Sequence, residues 1–237
     1  MHVAKLTVAY LTTQQQPQAE QLATQLGLEV SNQSQAALLV TPDKLMLKYG
    51  AFAPMAADFM WSTWCKRRYC GKKPALVRAI KPNSTMYIID ATAGWGRDAA
   101  ILASFGAHVL MLEREPFMGA ILANALENRD EISKQRLNLE LQVVDAMHYL
   151  ESLSASKLPD VIYLDPMHPL RKKSALVKKE LQVLQNIIGA DPRVLKLLNL
   201  AMSKSKRFVV LKWPRHGPKL LSPRATIIGQ TIRYDIY

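Results

Sequence analysis

Three carboxylates and two glycines gather near the middle of this 237-residue chain, in Ile88-Ile89-Asp90-Ala91-Thr92-Ala93-Gly94-Trp95-Gly96-Arg97-Asp98 and at Glu113, nineteen residues past Gly94. Small residues at 91, 93, 94 and 96 let a ligand press against the backbone, and the helix that follows offers unpaired amides. A carboxylate closing the next strand can accept both hydroxyls of a ribose, which is the role read for Glu113. Two ligand classes compete for this pattern. Gly94-Trp95-Gly96-Arg97-Asp98-Ala99 satisfies the dinucleotide fingerprint that ends in Ala. Yet Asp90, Asp98 and Glu113 set negative charge where a pyrophosphate would lie. A sulfonium with an ammonium group suits that field better, with Asp90 nearest the ammonium, so the residues favour S-adenosylmethionine. Asp145 has two readings. It accepts from the exocyclic amine of adenine, with the Ala146 and Met147 backbone beside the ring, or it caps the short helix that follows.

The second chemical segment is Tyr163-Leu164-Asp165-Pro166-Met167-His168-Pro169. Carboxyl ends of strands line the ligand crevice of a doubly wound sheet, so Asp165 is expected at the methyl group, unless it caps the next helix or pairs with Arg171. Two prolines stiffen the turn, and Pro166 with Asp165 would present a carbonyl and a carboxylate to an exocyclic amine. Such acceptors draw the amine lone pair out of ring conjugation and aim it, so orientation and electrostatics supply most of the rate. His168 is read as stacking on the target base, donating a hydrogen bond, or filling the wall. Arg171, Lys172, Lys173, Lys178 and Lys179 follow directly, placed for phosphates of a flipped-out nucleotide or along a solvated helix face.

The elements that must position these residues alternate. Strands are expected at 86–90, 108–113, 139–145, 161–165 and 207–213, with one or two closing strands in 226–236. Helices are expected at 97–105, 116–128, 147–152, 174–188 and 194–203. That order implies an α/β fold: a doubly wound, mostly parallel sheet of Rossmann-like type. Ahead of it, a strand at 3–10, a helix at 17–28 and a strand at 37–40, closed by Thr41, Pro42 and Asp43, suggest a small N-terminal lobe over 1–44. The main domain would then occupy 45–237.

Hydrophobic residues make up 49% and charged residues 21%, so a single principal core is expected rather than disorder. The formal charge of +12 is unevenly spread: residues 90–165 hold six basic against twelve acidic side chains, while residues 166–237 hold fifteen against three. Basic segments flanking an acidic centre favour a polyanionic partner over a merely soluble surface. Residues 51–89 hold seven bases against Asp58 alone, among them Arg67, Arg68, Lys72 and Lys73. Trp61, Trp64 and Tyr69 lie between them, suited either to stacking on RNA bases or to packing a helix. Cys65 and Cys70 have no second pair, and the five histidines show no ligand spacing, so neither zinc nor a disulfide framework is expected. No run approaches the ~18 apolar residues of a membrane span, and no targeting segment is evident, so no membrane partner and a cytoplasmic setting are expected. Oligomeric state is not legible.

With these residues in view, roughly 45–237 resembles the RsmJ family of bacterial 16S rRNA guanine-N2 methyltransferases. The likeness rests on Asp90-Ala91-Thr92-Ala93-Gly94 with Gly96-Arg97-Asp98, on Met111-Leu112-Glu113-Arg114 and on Leu164-Asp165-Pro166-Met167 with Pro169. It rests also on Lys173-Ser174-Ala175-Leu176-Val177-Lys178-Lys179-Glu180 and on Arg233-Tyr234-Asp235-Ile236-Tyr237. The resemblance implies methylation of the N2 amine of one guanosine near the 3′ end of 16S rRNA, free or in the small subunit. It implies cofactor contacts at Arg97, Asp98, Glu113 and Arg114, adenine-side contacts at Met147 and His148, and Asp165 at the methyl-transfer end. His168 stands where the family pattern has an aromatic ring, and Trp95 is bulkier than the usual residue between the glycines. Two kinds of alternative remain. One is an amine in another base or in a protein glutamine; the other is an RNA-binding protein with a vestigial cofactor site.

Overall fold

The computed structural model describes residues 5–69, 73–166 and 192–237, and divides the chain into two compact units. Of the described residues, the first holds 5–57 and 116–128, and the second 58–69, 73–115, 129–166 and 192–237.

In the first unit, β1 (Thr7–Tyr10), β2 (Ala36–Val40), β3 (Leu45–Tyr49) and β4 (Phe52–Met55) form one sheet in that order. β1 and β2 run parallel, joined across α1 (Gln16–Leu26), which buries Ala19 and Ala23 and ends at Gly27 with φ 64°. β2 and β3 are antiparallel. Thr41 Oγ1 donates to the Lys44 carbonyl (2.8 Å) and accepts from its N–H, making 41–44 a hairpin turn. The sheet therefore continues through β4. An apolar run broken by Lys48 and a strand containing Pro54 gave no strand signal from sequence. α5 (Pro116–Glu127) belongs to this unit, where Asn124 Oδ1 accepts from the Leu45 N–H at 2.7 Å.

The second unit is built on seven strands: β5 (Tyr87–Asp90), β6 (His108–Glu113), β7 (Leu139–Val143), β8 (Val161–Leu164), β9 (Phe208–Pro214), β10 (Ala225–Ile228) and β11 (Ile232–Ile236). Their order is β10-β11-β9-β8-β5-β6-β7. β7, β6, β5, β8 and β9 are mutually parallel, while β11 runs antiparallel to both β9 and β10. The expected doubly wound, mostly parallel sheet is thus present, and the closing segment forms a hairpin. Its central strands read as continuous apolar runs because both faces are covered.

The described helices of this unit are α2 (Trp61–Tyr69), α3 (Ala75–Ile80), α4 (Arg97–Ser104), α6 (Glu131–Arg136), α7 (Ala146–Ser152) and α8 (Val194–Lys204). In α8, Val194, Leu197, Leu198 and Ala201 are buried, the i, i+3, i+4, i+7 spacing of a helix that lays one stripe on a sheet. They join Ile89, Leu110, Leu112, Ile162, Leu164, Val209 and Leu211 in one core cluster. Each such aliphatic chain removed from water contributes roughly 1.5–3 kcal/mol, which fixes strand order and register and so the strand ends where the chemistry lies. The expected helix at 174–188 lies outside the described residues.

Candidate active site

The glycine turn is set by backbone conformation. Gly94 has φ 52° and Gly96 φ 68°, left-handed values at which a side chain is strained. A Cβ on Gly94 would meet nothing nearer than the Thr92 carbonyl at 4.0 Å, so the space beside this backbone is open. The turn is tied down by Ala93 N–H to the Leu112 carbonyl (3.1 Å) and Gly96 N–H to the Ala93 carbonyl (2.8 Å). Gly96 then caps α4, which has Asp98 in its first turn. Trp95, the bulky residue between the glycines, is buried.

Glu113 closes β6 and reaches back to this turn. Its Oε2 accepts from the Gly94 N–H and its Oε1 from the Glu115 N–H, both at 2.9 Å. Burial pushes the Glu113 carboxyl above its usual range, and these two N–H donors pull part of the way back. Asp90 closes β5 with 1% of its surface exposed, accepting from the Thr92 N–H at 3.2 Å. Burial first, and the nearby Asp98 charge second, hold its carboxyl well above the ordinary range. Arg114 Nε donates to Glu115 at 3.1 Å, and Arg97 is half-buried at the start of α4.

Asp165 directly follows β8, and its N–H donates to Thr92 Oγ1 at 2.6 Å, tying the reacting segment to the glycine turn. Its carboxylate Oδ2 accepts from the Lys212 ammonium at 2.6 Å. The same ammonium donates to Asp98 Oδ2 at 2.8 Å, where the Tyr163 hydroxyl also donates at 2.6 Å. Burial raises the Asp165 carboxyl, with Lys212 opposing and Asp98 assisting that rise. Burial works against the Lys212 ammonium, but the two carboxylates outweigh it and hold its pKa well above normal. Asp90, Asp98, Glu113 and Asp165 thus sit at adjoining strand and helix ends. One lysine ammonium serves both Asp98 and Asp165, while burial is the first cause of the raised Asp90 and Glu113 carboxyls. This cluster brings four of the described carboxylates together. It fits a ligand bearing a sulfonium and an ammonium, and it disfavours a pyrophosphate.

Asp145 behaves as a helix cap. Its Oδ1 accepts from the Met147 N–H at 2.8 Å and its Oδ2 from Arg193 at 2.9 Å. Burial would raise its pKa, yet Arg193 and the Met147 N–H together hold it below the usual range. Ala146 is buried, Met147 half-buried and His148 exposed on α7. Phe59 and Trp64 are buried, with Trp64 Nε1 donating to the Asp58 carbonyl at 2.7 Å, so those two rings pack. Trp61 is half-exposed, with the Arg136 guanidinium 6.0 Å from its ring centre. Lys73 is exposed. His168, Arg171, Lys172, Lys173, Lys178 and Lys72 lie outside the described residues, as do the side chains of Arg67 and Arg68; Pro166 is buried. Among the described residues no His, Cys, Asp and Glu cluster could hold a metal ion, and no helix is long and apolar enough to cross a membrane.

Sequence reasoning did not single out Lys212, Tyr163 or Tyr234. The signal that could have found the first was a lysine inside the apolar run Phe208-Val209-Val210-Leu211-Lys212-Trp213, an unusual place for an unpaired charge.

A glycine turn off the first strand, a carboxylate at the tip of the second and an antiparallel hairpin closing a parallel sheet define a class: Rossmann-like enzymes that use S-adenosylmethionine. A family model described as SAM-dependent methyltransferase matches residues 21–237. A protein of Legionella pneumophila (strain Corby) named ribosomal RNA small subunit methyltransferase J is 52% identical over 230 residues, covering 97% of this chain and 95% of that one. A protein of the same name from Coxiella burnetii (strain RSA 331 / Henzerling II) is 39% identical over 246 residues, covering 98% and 96%. Among solved structures, a SAM-dependent methyltransferase from Neisseria gonorrhoeae superposes with a TM-score of 0.74 at 24% identity, covering 98% of this chain and 95% of that one, and so shares the fold. The chain belongs to the SAM-dependent methyltransferase family that these relatives share, and S-adenosylmethionine is its cofactor.

Proposed function

We propose that this enzyme methylates the exocyclic N2 amine of a guanosine near the 3′ end of 16S rRNA. The names of relatives 52% and 39% identical over nearly the whole chain support small-subunit rRNA as the substrate, and the formal charge of +12 fits a polyanion. The observation that carries the chemistry is Asp165 at the end of β8, held by Thr92 on one side and Lys212 on the other. S-adenosylmethionine supplies an electrophilic methyl group on a sulfonium.

The chain's residues supply the rest. Asp90 faces the ammonium end, Glu113 accepts the ribose hydroxyls, and Gly94 and Gly96 let the backbone approach. Arg97, Asp98 and Arg114 complete the cofactor side, and the segment Asp145 to His148 borders the adenine. Since both Asp145 oxygens already accept hydrogen bonds, that residue chiefly shapes the start of α7, and any adenine contact uses a remaining lone pair. Asp165 and the Pro166 carbonyl accept from the target amine and orient its lone pair. A general base is not required, since the amine sheds its proton after methylation. His168 borders the base, while Arg67, Arg68, Lys72, Lys73, Arg171, Lys172, Lys173 and Lys178 meet RNA phosphates. Mapping methylated guanosines in 16S rRNA from cells with and without this protein tests the reading. One N2-methylguanosine near the 3′ end should vanish in its absence; an unchanged map overturns it.

A further inference from the structure

Lys212 is a charged residue inside a central strand, and the proposed chemistry does not by itself call for it. Its side chain is 21% exposed. Register explains where it lies. Leu164 stands opposite Leu211 across β8 and β9, so Lys212 is level with Asp165, and on its other side it pairs with Tyr234 of β11. The ammonium is divided between Asp165 Oδ2 at 2.6 Å and Asp98 Oδ2 at 2.8 Å. A lysine bound this way is poorly placed to serve an RNA phosphate, because both of its carboxylate partners would have to be surrendered. Stability is also a weak reason for it, since buried ion pairs can often be replaced by apolar side chains without loss.

Electrostatics gives a better reason. Asp90, Asp98 and Asp165 gather here, with the Tyr163 hydroxyl donating to Asp98 and Tyr234 beside the ammonium. Without a cation, carboxylates this close favour protonation of one another. A protonated Asp165 would present a donor to an amine that needs an acceptor. Asp165 also has its main chain fixed, by the N–H bond to Thr92, so the lysine governs what remains: the turn of the carboxylate and its charge.

We propose that Lys212 is a positioning residue for methyl transfer, its ammonium holding the Asp165 carboxylate ionised and turned so that Oδ1 accepts from the target amine. The inference rests on the role given to Asp165 above. It also assigns Asp98 a second duty: by sharing the ammonium, Asp98 links the first turn of α4 to the reacting carboxylate.

The test uses the full chain, radiolabelled S-adenosylmethionine and 16S rRNA, with Lys212→Met, Lys212→Arg, Asp165→Asn and the Lys212→Met, Asp165→Asn double variant. Lys212→Met should lower kcat about a hundredfold, the scale of losing one preorganised electrostatic group, with KM moving far less. Its rate should recover partly as pH rises, because the Asp165 carboxyl then titrates at higher pH. Lys212→Arg should restore most of the rate and the wild-type pH profile. In the Asp165→Asn background, Lys212→Met should cost nothing further, since its effect passes through the missing carboxylate. A double variant as slow as the product of the two single losses, or a Lys212→Met enzyme with wild-type kcat, overturns the inference. Should Lys212→Met lack a cooperative thermal transition, Lys212→Gln, which keeps polar contact without charge, carries the same expectations. The two proposals fail separately. A wild type that methylates a different amine overturns the rRNA reading, and the same ratios are then measured on that substrate. A wild type active on rRNA beside an unimpaired Lys212→Met overturns only the role of the lysine.

Discussion

Two buried ion clusters occupy neighbouring strands of the same sheet, and they are built on opposite principles. On β11, Arg233 Nε donates to Asp235 at 2.8 Å, while its Nη1 and Nη2 donate to the carbonyls of Pro214, Arg215, Gly217 and Pro218. Thr226 Oγ1 donates to the other Asp235 oxygen at 2.8 Å. One cation meets one anion, and the polar atoms around them are paired within the protein. On β9, Lys212 faces two carboxylates, Asp98 and Asp165, with the carboxyl of Asp90 close by. The first network is closed and has nothing to offer a ligand; it pins the segment after β9 to the sheet. The second divides one ammonium between two carboxylates beside a third carboxyl, an arrangement that a cationic ligand can join. Buried charge by itself therefore does not mark function. An arrangement that a ligand can join does.

Substitutions in the two clusters should accordingly fail in different assays. Asp165→Ala should reduce methyl transfer about a thousandfold or more, while the melting temperature and S-adenosylmethionine affinity stay near wild type, because the role proposed for the residue is to face the amine. Single-turnover rates and calorimetric titration check this, and unaltered turnover would remove Asp165 from the mechanism. Asp235→Ala should do the reverse. It leaves the Arg233 guanidinium, 7% exposed, without its counter-ion and should destabilise the fold by about 3 kcal/mol. Denaturant melts would show the loss, and cofactor affinity per folded molecule should remain within about threefold of wild type. A variant of unchanged stability but poor cofactor binding would erase the distinction between the clusters.

The sequence revealed these regions unequally. The stretch from Asp90 to Glu113 was legible because its chemistry is local: glycines at a turn and carboxylates at strand ends fall within twenty-four residues. Alternation of strands and helices likewise disclosed the parallel sheet. Lys212 was not legible, since its meaning depends on the register that sets it level with Asp165, forty-seven positions earlier. Arg233 and Asp235 were visible only as part of a motif; that they bond to each other inside a strand required the burial of both. The hairpin of β3 and β4 escaped notice because Pro54 and Lys48 blur its alternation, and α6, with six residues, is shorter than a periodic pattern needs. Asp145 was legible as one of two readings, and the structure shows the cap, Asp145 accepting from the Met147 N–H, with Arg193 on its other oxygen.

The raised carboxyl of Asp90 predicts a third and smaller effect, on cofactor binding alone. Burial and Asp98 raise the Asp90 carboxyl well above the ordinary carboxylate range, so the free enzyme holds a proton there to higher pH than an exposed aspartate would. An ammonium placed beside Asp90 favours the ionised form and pulls that pKa back down. Binding should therefore release a fraction of a proton. Affinity for S-adenosylmethionine should tighten as pH climbs from the lowered pKa of the complex to the raised pKa of the free enzyme, by at most about tenfold for each pH unit of that interval. Titrations in buffers of different ionisation enthalpy measure the released protons directly. In Asp90→Asn the release should fall and the affinity should lose most of its pH dependence. A proton release that survives in Asp90→Asn would point to Glu113 or Asp165, the other raised carboxyls of the site.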